Sequence, residues 1–121
     1  MKILIIDDDV EVTKELEKII KSVGHDVQFT NDPKEGLKLI KEQNNDMVLM
    51  DLAMPEFSGA DIIENLTEND KIKLKNIVII TGSATNDEEL QELTDSGIHS
   101  VLRKPIGIDD IIDKIEELGS S

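Results

Sequence analysis

Asp46-Met47-Val48-Leu49-Met50-Asp51-Leu52-Ala53-Met54-Pro55 is the stretch on which the reading of this chain turns. Its apolar run leads straight into Asp51, and Pro55 then ends the extended segment. That pattern predicts a buried parallel strand delivering one carboxylate to the carboxyl edge of a sheet. In open α/β sheets, ligands bind at that edge. An Asp after a strand often does no more than cap the next turn, so the meaning of Asp51 depends on what arrives beside it.

The segments on either side repeat the theme. Ile3 to Ile6 form an apolar run that ends on Asp7-Asp8-Asp9. Asp9 can cap a helix reaching about Val23, with Val12, Leu16, Ile19, Ile20 and Val23 three and four apart and Gly24 placed to end it. A short, less buried strand is expected over Asp26 to Thr30. Asp32-Pro33-Lys34-Glu35 is a helix start, in which Asp32 caps, Pro33 suits the first turn and Glu35 can reach back. That helix should run to about Gln43. Beyond Pro55, Ser58 can cap a helix through Ile62, Ile63 and Leu66, and the polar stretch Glu68 to Asn76 reads as a connection. Ile77 to Ile80 form another buried strand, ending on the hydroxyls of Thr81-Gly82-Ser83. Asn86 can open a helix anchored only by Leu90 and Leu93. A last strand over Ile98 to Leu102 leads into Arg103-Lys104-Pro105, and a helix from about Ile108 to Leu118 follows. Five strands alternating with five helices predict a three-layer α/β domain with a mostly parallel sheet and right-handed crossovers.

Composition limits the function. A chain of 121 residues suits one domain, expected over residues 1–121 with a frayed end at Gly119-Ser120-Ser121. Its 13 Lys and Arg against 27 Asp and Glu give a formal charge of −14, which repels phosphate backbones and anionic membranes. Direct nucleic-acid binding is not expected, and Phe29 and Phe57 are too few to stack bases. Without cysteine there is no thiolate metal site, consistent with a cytoplasmic protein. No apolar run approaches the ~18 residues of a membrane span, and acids interrupt the N-terminus before a signal peptide could form.

The predicted sheet edge therefore collects acids from the first strand, Asp51 from the third, Thr81 from the fourth and Lys104 from the fifth. Converging carboxylates raise each other's pKa unless a hard cation lies between them. Oxygen donors without His or Cys point to Mg²⁺, with positions left for water and phosphate. Lys104 and Thr81 suit phosphoryl oxygens, and an Asp carboxylate can act as nucleophile in phosphoryl transfer.

On Ile5-Ile6-Asp7-Asp8-Asp9, Leu49-Met50-Asp51-Leu52-Ala53-Met54-Pro55 with Gly59, Ile79-Ile80-Thr81-Gly82 and Lys104-Pro105, the chain resembles the receiver domain of two-component response regulators. The resemblance covers essentially the full length and is closest in kind to stand-alone, chemotaxis-type receivers. It implies a flavodoxin-like (βα)5 fold with strand order 2-1-3-4-5. Asp51 would accept a phosphoryl group from a sensor histidine kinase or a histidine phosphotransfer protein. Mg²⁺ would be held by Asp7, Asp8, Asp51 and the backbone carbonyl of Ala53. Thr81, the Gly82 amide and Lys104 would bind the phosphoryl group, and the Lys104-Pro105 bond would be cis. Such a domain catalyses only its own phosphorylation and dephosphorylation, and passes the signal to a downstream protein.

Two positions depart from the family pattern. Val101 stands where relatives often carry an aromatic that moves with the threonine, and Ala53 replaces a larger polar group. Other readings are a small Asp-nucleophile phosphohydrolase, for which Glu11 breaks the pattern after Asp7-Asp8-Asp9, and a pseudo-receiver that only binds partners. Asp9 reads as a helix cap, His25 and His99 as solvated turn residues, Met47, Met50 and Met54 as packing, and Glu17 with Lys21 as a surface pair. Val10 is a candidate apolar contact for a kinase.

Overall fold

The computed structural model describes residues 1–82 and 85–119. Ser83, Ala84, Ser120 and Ser121 lie outside the described residues, and with them the Ser83 hydroxyl and most of the expected frayed end. Strands β1 (Lys2–Ile6), β2 (Asp26–Thr30), β3 (Met47–Asp51), β4 (Ile77–Thr81) and β5 (Ser100–Arg103) form one sheet. Its order is β2-β1-β3-β4-β5 and every pairing is parallel. Helices α1 (Val10–Ser22), α2 (Pro33–Glu42), α3 (Gly59–Asn69) and α4 (Asp87–Asp95) connect successive strands, and α5 (Ile108–Gly119) follows β5. This is the flavodoxin-like three-layer arrangement.

Period-two side-chain alternation sorts the apolar strands into two cores. Leu4, Ile6, Val48, Met50, Ile77 and Ile79 face α2, α3 and α4, where they meet Ile40, Ile62, Ile63, Leu66 and Leu93. Ile3, Ile5, Met47, Leu49, Val78 and Ile80 face α1 and α5, meeting Leu16, Ile20, Ile111 and Ile115. Because β1, β3 and β4 are covered on both faces, they read as unbroken apolar runs. Edge strand β2 alternates exposed and half-buried residues and only Thr30 is buried.

Local chemistry sets the helix ends. Asp9 accepts from the amides of Glu11 and Val12, and Gly24, at φ +92°, donates its amide to the carbonyl of Lys21 past the end of α1. Ser58 and Asp61 form a reciprocal capping box on α3. Asp32 caps α2 by accepting from the Lys34 amide. The reciprocal bond expected from Glu35 is replaced, because the Asp32 amide donates to Thr30 Oγ1 at 3.1 Å.

Two other expectations need correction. The stretch after α3 is not a plain connection: Lys71–Asn76 is a 3₁₀ helix that buries Leu74 and leaves Ile72 exposed, an apolar pair too short to give a periodic signal. The histidines are half-buried and bonded rather than solvated. His25 Nδ1 lies 3.2 Å from the N-terminal amine, and His99 Nδ1 lies 3.0 Å from Ser100 Oγ. The Glu17–Lys21 pair does form on the surface, at 3.6 Å, and Met47, Met50 and Met54 are core residues. No helix among the described residues is long and apolar enough to cross a membrane.

Candidate phosphoryl and metal site

Three of the four strands that reach the site edge end there on a buried polar residue. Asp7 directly follows β1, Asp51 closes β3 and Thr81 closes β4, with 2%, 5% and 1% of their surface exposed. Strand register makes them neighbours: β1 pairs with β3 and β3 with β4, and all three run the same way. The carboxylates of Asp7, Asp8 and Asp51 offer oxygens that lie within 4.8 Å of one another. Asp8 is exposed and gives the cluster an opening to solvent.

The arrangement is electrostatically unsatisfied. Asp7 Oδ1 accepts from the Asp9 amide at 2.9 Å, whereas Asp7 Oδ2 is buried and has no hydrogen-bond partner. Burial is the main reason that the Asp7 carboxyl rises from 3.8 to about 6; the Asp9 amide opposes the rise, Asp51 and Asp8 add to it, and Lys104 opposes it. Asp51 is also raised, again mainly by burial, although the Lys104 ammonium pulls it down. Lys104 Nζ lies 3.4 Å from Asp51 Oδ1, and the lysine side chain is 44% exposed. One partly solvated ammonium does not compensate two buried carboxylates, and an orphaned buried oxygen is a costly feature in a folded protein. A divalent cation fits this donor set: hard oxygen ligands, net negative charge and one open side.

The surroundings hold the acids in place. Asn31 Nδ2 donates to the Asp7 carbonyl at 2.7 Å and to Thr13 Oγ1 at 3.1 Å, tying the loop after β2 to the end of β1. The Lys104 amide donates to the Thr81 carbonyl at 2.8 Å, and the Leu52 amide to the Ile80 carbonyl at 2.8 Å. The Lys104–Pro105 peptide is cis. Thr81 Oγ1 is hydrogen-bonded to Thr85 Oγ1. At Gly59 an added Cβ would stand 2.8 Å from the Asp51 carbonyl oxygen and 3.0 Å from Leu52 Cα, so α3 starts in backbone contact with the strand that carries Asp51. At Gly82 an added Cβ would meet nothing within 4 Å. Ala53 is exposed.

Asp7, Asp8, Asp51, Thr81, Gly82 and Lys104 thus lie at one edge of the sheet, while Asp9 turns away into the cap of α1. Sequence reasoning did not find Asn31, Thr13 or Thr85. Each acts through a hydrogen bond between segments distant in sequence or in an irregular loop, and no periodicity marks such residues.

The fold and this acid cluster define a flavodoxin-like α/β domain with an acidic site at the carboxyl ends of its strands. The chain belongs to the response regulator receiver domain family, whose sequence profile matches residues 3–116. It is 32% identical over 115 residues to the cell cycle transcriptional regulator CtrA of Caulobacter vibrioides, covering 95% of this chain and 48% of that protein. The chain spans about half the length of the curated relatives it matches. Among solved structures it is similar to the Francisella response regulator 1452 receiver domain, with TM-score 0.87, 27% identity and coverage of 98% of this chain and 96% of that one. A receiver domain protein from Clostridium thermocellum gives TM-score 0.84 at 27% identity, with coverage of 97% and 92%.

Proposed function

We propose that this chain accepts a phosphoryl group on Asp51 in a Mg²⁺-dependent reaction and signals by changed partner binding. The observation that carries the reading is the convergence of Asp7, Asp8 and Asp51 within 4.8 Å, around a buried Asp7 oxygen that has no partner, with Lys104 3.4 Å from Asp51. Asp7, Asp8, Asp51 and the Ala53 carbonyl would hold the cation, which when bound neutralises charge on the carboxylates and the transferring phosphoryl oxygens.

An Asp51 carboxylate oxygen attacks the phosphorus of a phosphohistidine. The new P–O bond forms as the P–N bond breaks, and the imidazole leaves with the electron pair. Lys104, Thr81 and the Gly82 amide bind the phosphoryl oxygens; Thr81 can do so once its hydroxyl leaves Thr85. Hydrolysis reverses the state when water attacks phosphorus and the Asp51–phosphorus linkage breaks, releasing phosphate. The donor is a sensor histidine kinase or a histidine phosphotransfer protein. A cavity of about 620 Å³ supports an approach between α1 and α5, because Asp7, Gly82 and Lys104 share its wall with Ile19, Ile108 and Ile111. Ile108 on that wall is 52% exposed, and Val10, the first residue of α1, is 48% exposed.

The test is intact-protein mass after incubation with acetyl phosphate, with Mg²⁺ and with chelator, on the natural chain and on Asp51→Asn. A gain of one phosphoryl group that requires both Mg²⁺ and Asp51 is expected. Absence of any gain overturns the reading and favours a receiver fold used only for binding.

A further inference from the structure

A second concave surface lies away from the phosphoryl site, between α3 and α4. It is a groove of about 520 Å³. Leu52, Ile63 and Leu93 give it an apolar lining, and Glu64 and Glu68 from α3 face Glu89 and Glu92 from α4 along its walls. All four glutamates are exposed, and none is ion-paired among the described residues. No lysine or arginine lines the groove. Neither helix carries a cation anywhere along its length, α3 reading GADIIENLTEN and α4 DEELQELTD.

Such helices work against their own stability. Glu64 with Glu68, and Glu88 with Glu92, are like charges one turn apart, and Asp95 stands at the negative end of the α4 dipole. Glu17–Lys21 and Glu117–Lys114 show helical acids paired with cations elsewhere, and on α4 Asp87 pairs with Arg103 at 3.1 Å, whereas the four glutamates of the groove walls form no ion pair among the described residues. The single-sign walls over an apolar floor match a ligand that is apolar on one stripe and cationic on its flanks. A groove between two helices takes such a stripe as a third helix, with anchors three and four residues apart.

From this complementarity we infer that the α3–α4 groove is a docking site for a cationic amphipathic helix of a partner protein. Leu52, which follows the phosphoacceptor directly, contributes to the floor, so the site adjoins the strand end that carries Asp51. A second copy of this chain is a poor occupant, since at −14 it repels itself.

The probe is a fluorescein-labelled synthetic peptide of about four helical turns, with leucines three and four residues apart and lysines elsewhere. A twin carries glutamate in place of each lysine. The unphosphorylated natural chain is used, so the outcome is independent of whether Asp51 accepts phosphate. The lysine peptide is expected to bind, with amide NMR shifts centred on Ala60, Ile63, Thr67, Leu93 and Ser96, and the glutamate twin is not. Replacing all four wall residues, Glu64→Gln, Glu68→Gln, Glu89→Gln and Glu92→Gln, should weaken binding at least about tenfold at low salt. Ala60→Arg, at an exposed wall position, should block it. The α5 control Asp109→Asn with Asp113→Asn and Glu116→Gln should hold affinity within about twofold, because those charges lie outside the groove. The inference is overturned if no binding occurs, if shifts spread over the whole acidic surface, if the α5 control loses as much affinity as the wall variant, or if sedimentation shows the groove filled by a second copy.

Discussion

Asp7 shows how much one residue contributes to both stability and chemistry. Its folded midpoint near 6 lies above the ordinary 3.8, so between those values the folded chain holds a proton that the unfolded chain has lost. Stability from this group is fully present below 3.8 and is lost as pH rises through about 6. At neutral pH the buried charge costs about 3 kcal/mol in the absence of metal. Asp7→Asn should therefore raise the thermal midpoint in chelator by several degrees at pH 7 and by little at pH 4. Mg²⁺ should stabilise the natural chain and not the variant. The same protonation competes with metal, so Mg²⁺ affinity followed by calorimetry should fall as pH is lowered through about 6. Ala53 bears on a different expectation. Under the proposed phosphoryl reaction at Asp51, a side chain as small as the exposed Ala53 would do little to shape the path of hydrolytic water, so Ala53→Asn or Ala53→Lys should change the dephosphorylation rate measured by loss of the phosphorylated mass.

At the scale of elements, α3 and α4 differ in how firmly they are held. The start of α3 touches the Asp51 backbone through Gly59, and four of its residues are buried. Gly59→Ala would force backbone apart and should cost about 1–3 kcal/mol in urea unfolding. Gly82→Ala, where the new methyl meets open space, should be close to neutral in the same measurement. Helix α4 buries only Leu93, and β5 beside it has no fully buried residue. Elements with so little buried apolar area open at low free energy, which makes α4 and β5 the expected signalling face. Val101 in β5 packs against the core shared by α3 and α4. It is too short to make the large swing that an aromatic makes there, so a smaller repacking around Leu93 is the expected motion. Amide exchange should be fastest in α4 and β5 among the regular elements, and phosphorylation should change it most there.

For the molecule as a whole, a charge of −14 on 121 residues opposes compaction. Monovalent salt should raise the thermal midpoint by screening that repulsion. Mg²⁺ at matched ionic strength should add a further increase that Asp51→Asn reduces, separating site binding from general screening. The two cores make the sheet a rigid platform, because every residue of β3 and β4 is buried. A platform of that kind holds Asp51 and Thr81 at the ends of β3 and β4 in fixed relation to the loops that carry Asp7, Asp8, Gly82 and Lys104.

What the sequence by itself determined is the set of quantities written in periodicity and chain order. Apolar runs ending on Asp7, Asp51 and Thr81 marked buried parallel strands and their carboxyl ends, because a strand covered on both faces has no polar positions to spare. Caps at Asp9, Asp32 and Ser58 were legible because the side chain and the amide it serves are two or three residues apart. Only the tertiary structure decided which carboxylates meet, that Asp7 keeps an oxygen without a partner, that Asn31 ties β1 to the loop after β2, and that α3 and α4 leave an acidic groove between them. Those features depend on distances between segments tens of residues apart, and in an extended chain such distances have no fixed value until the two cores close on the sheet.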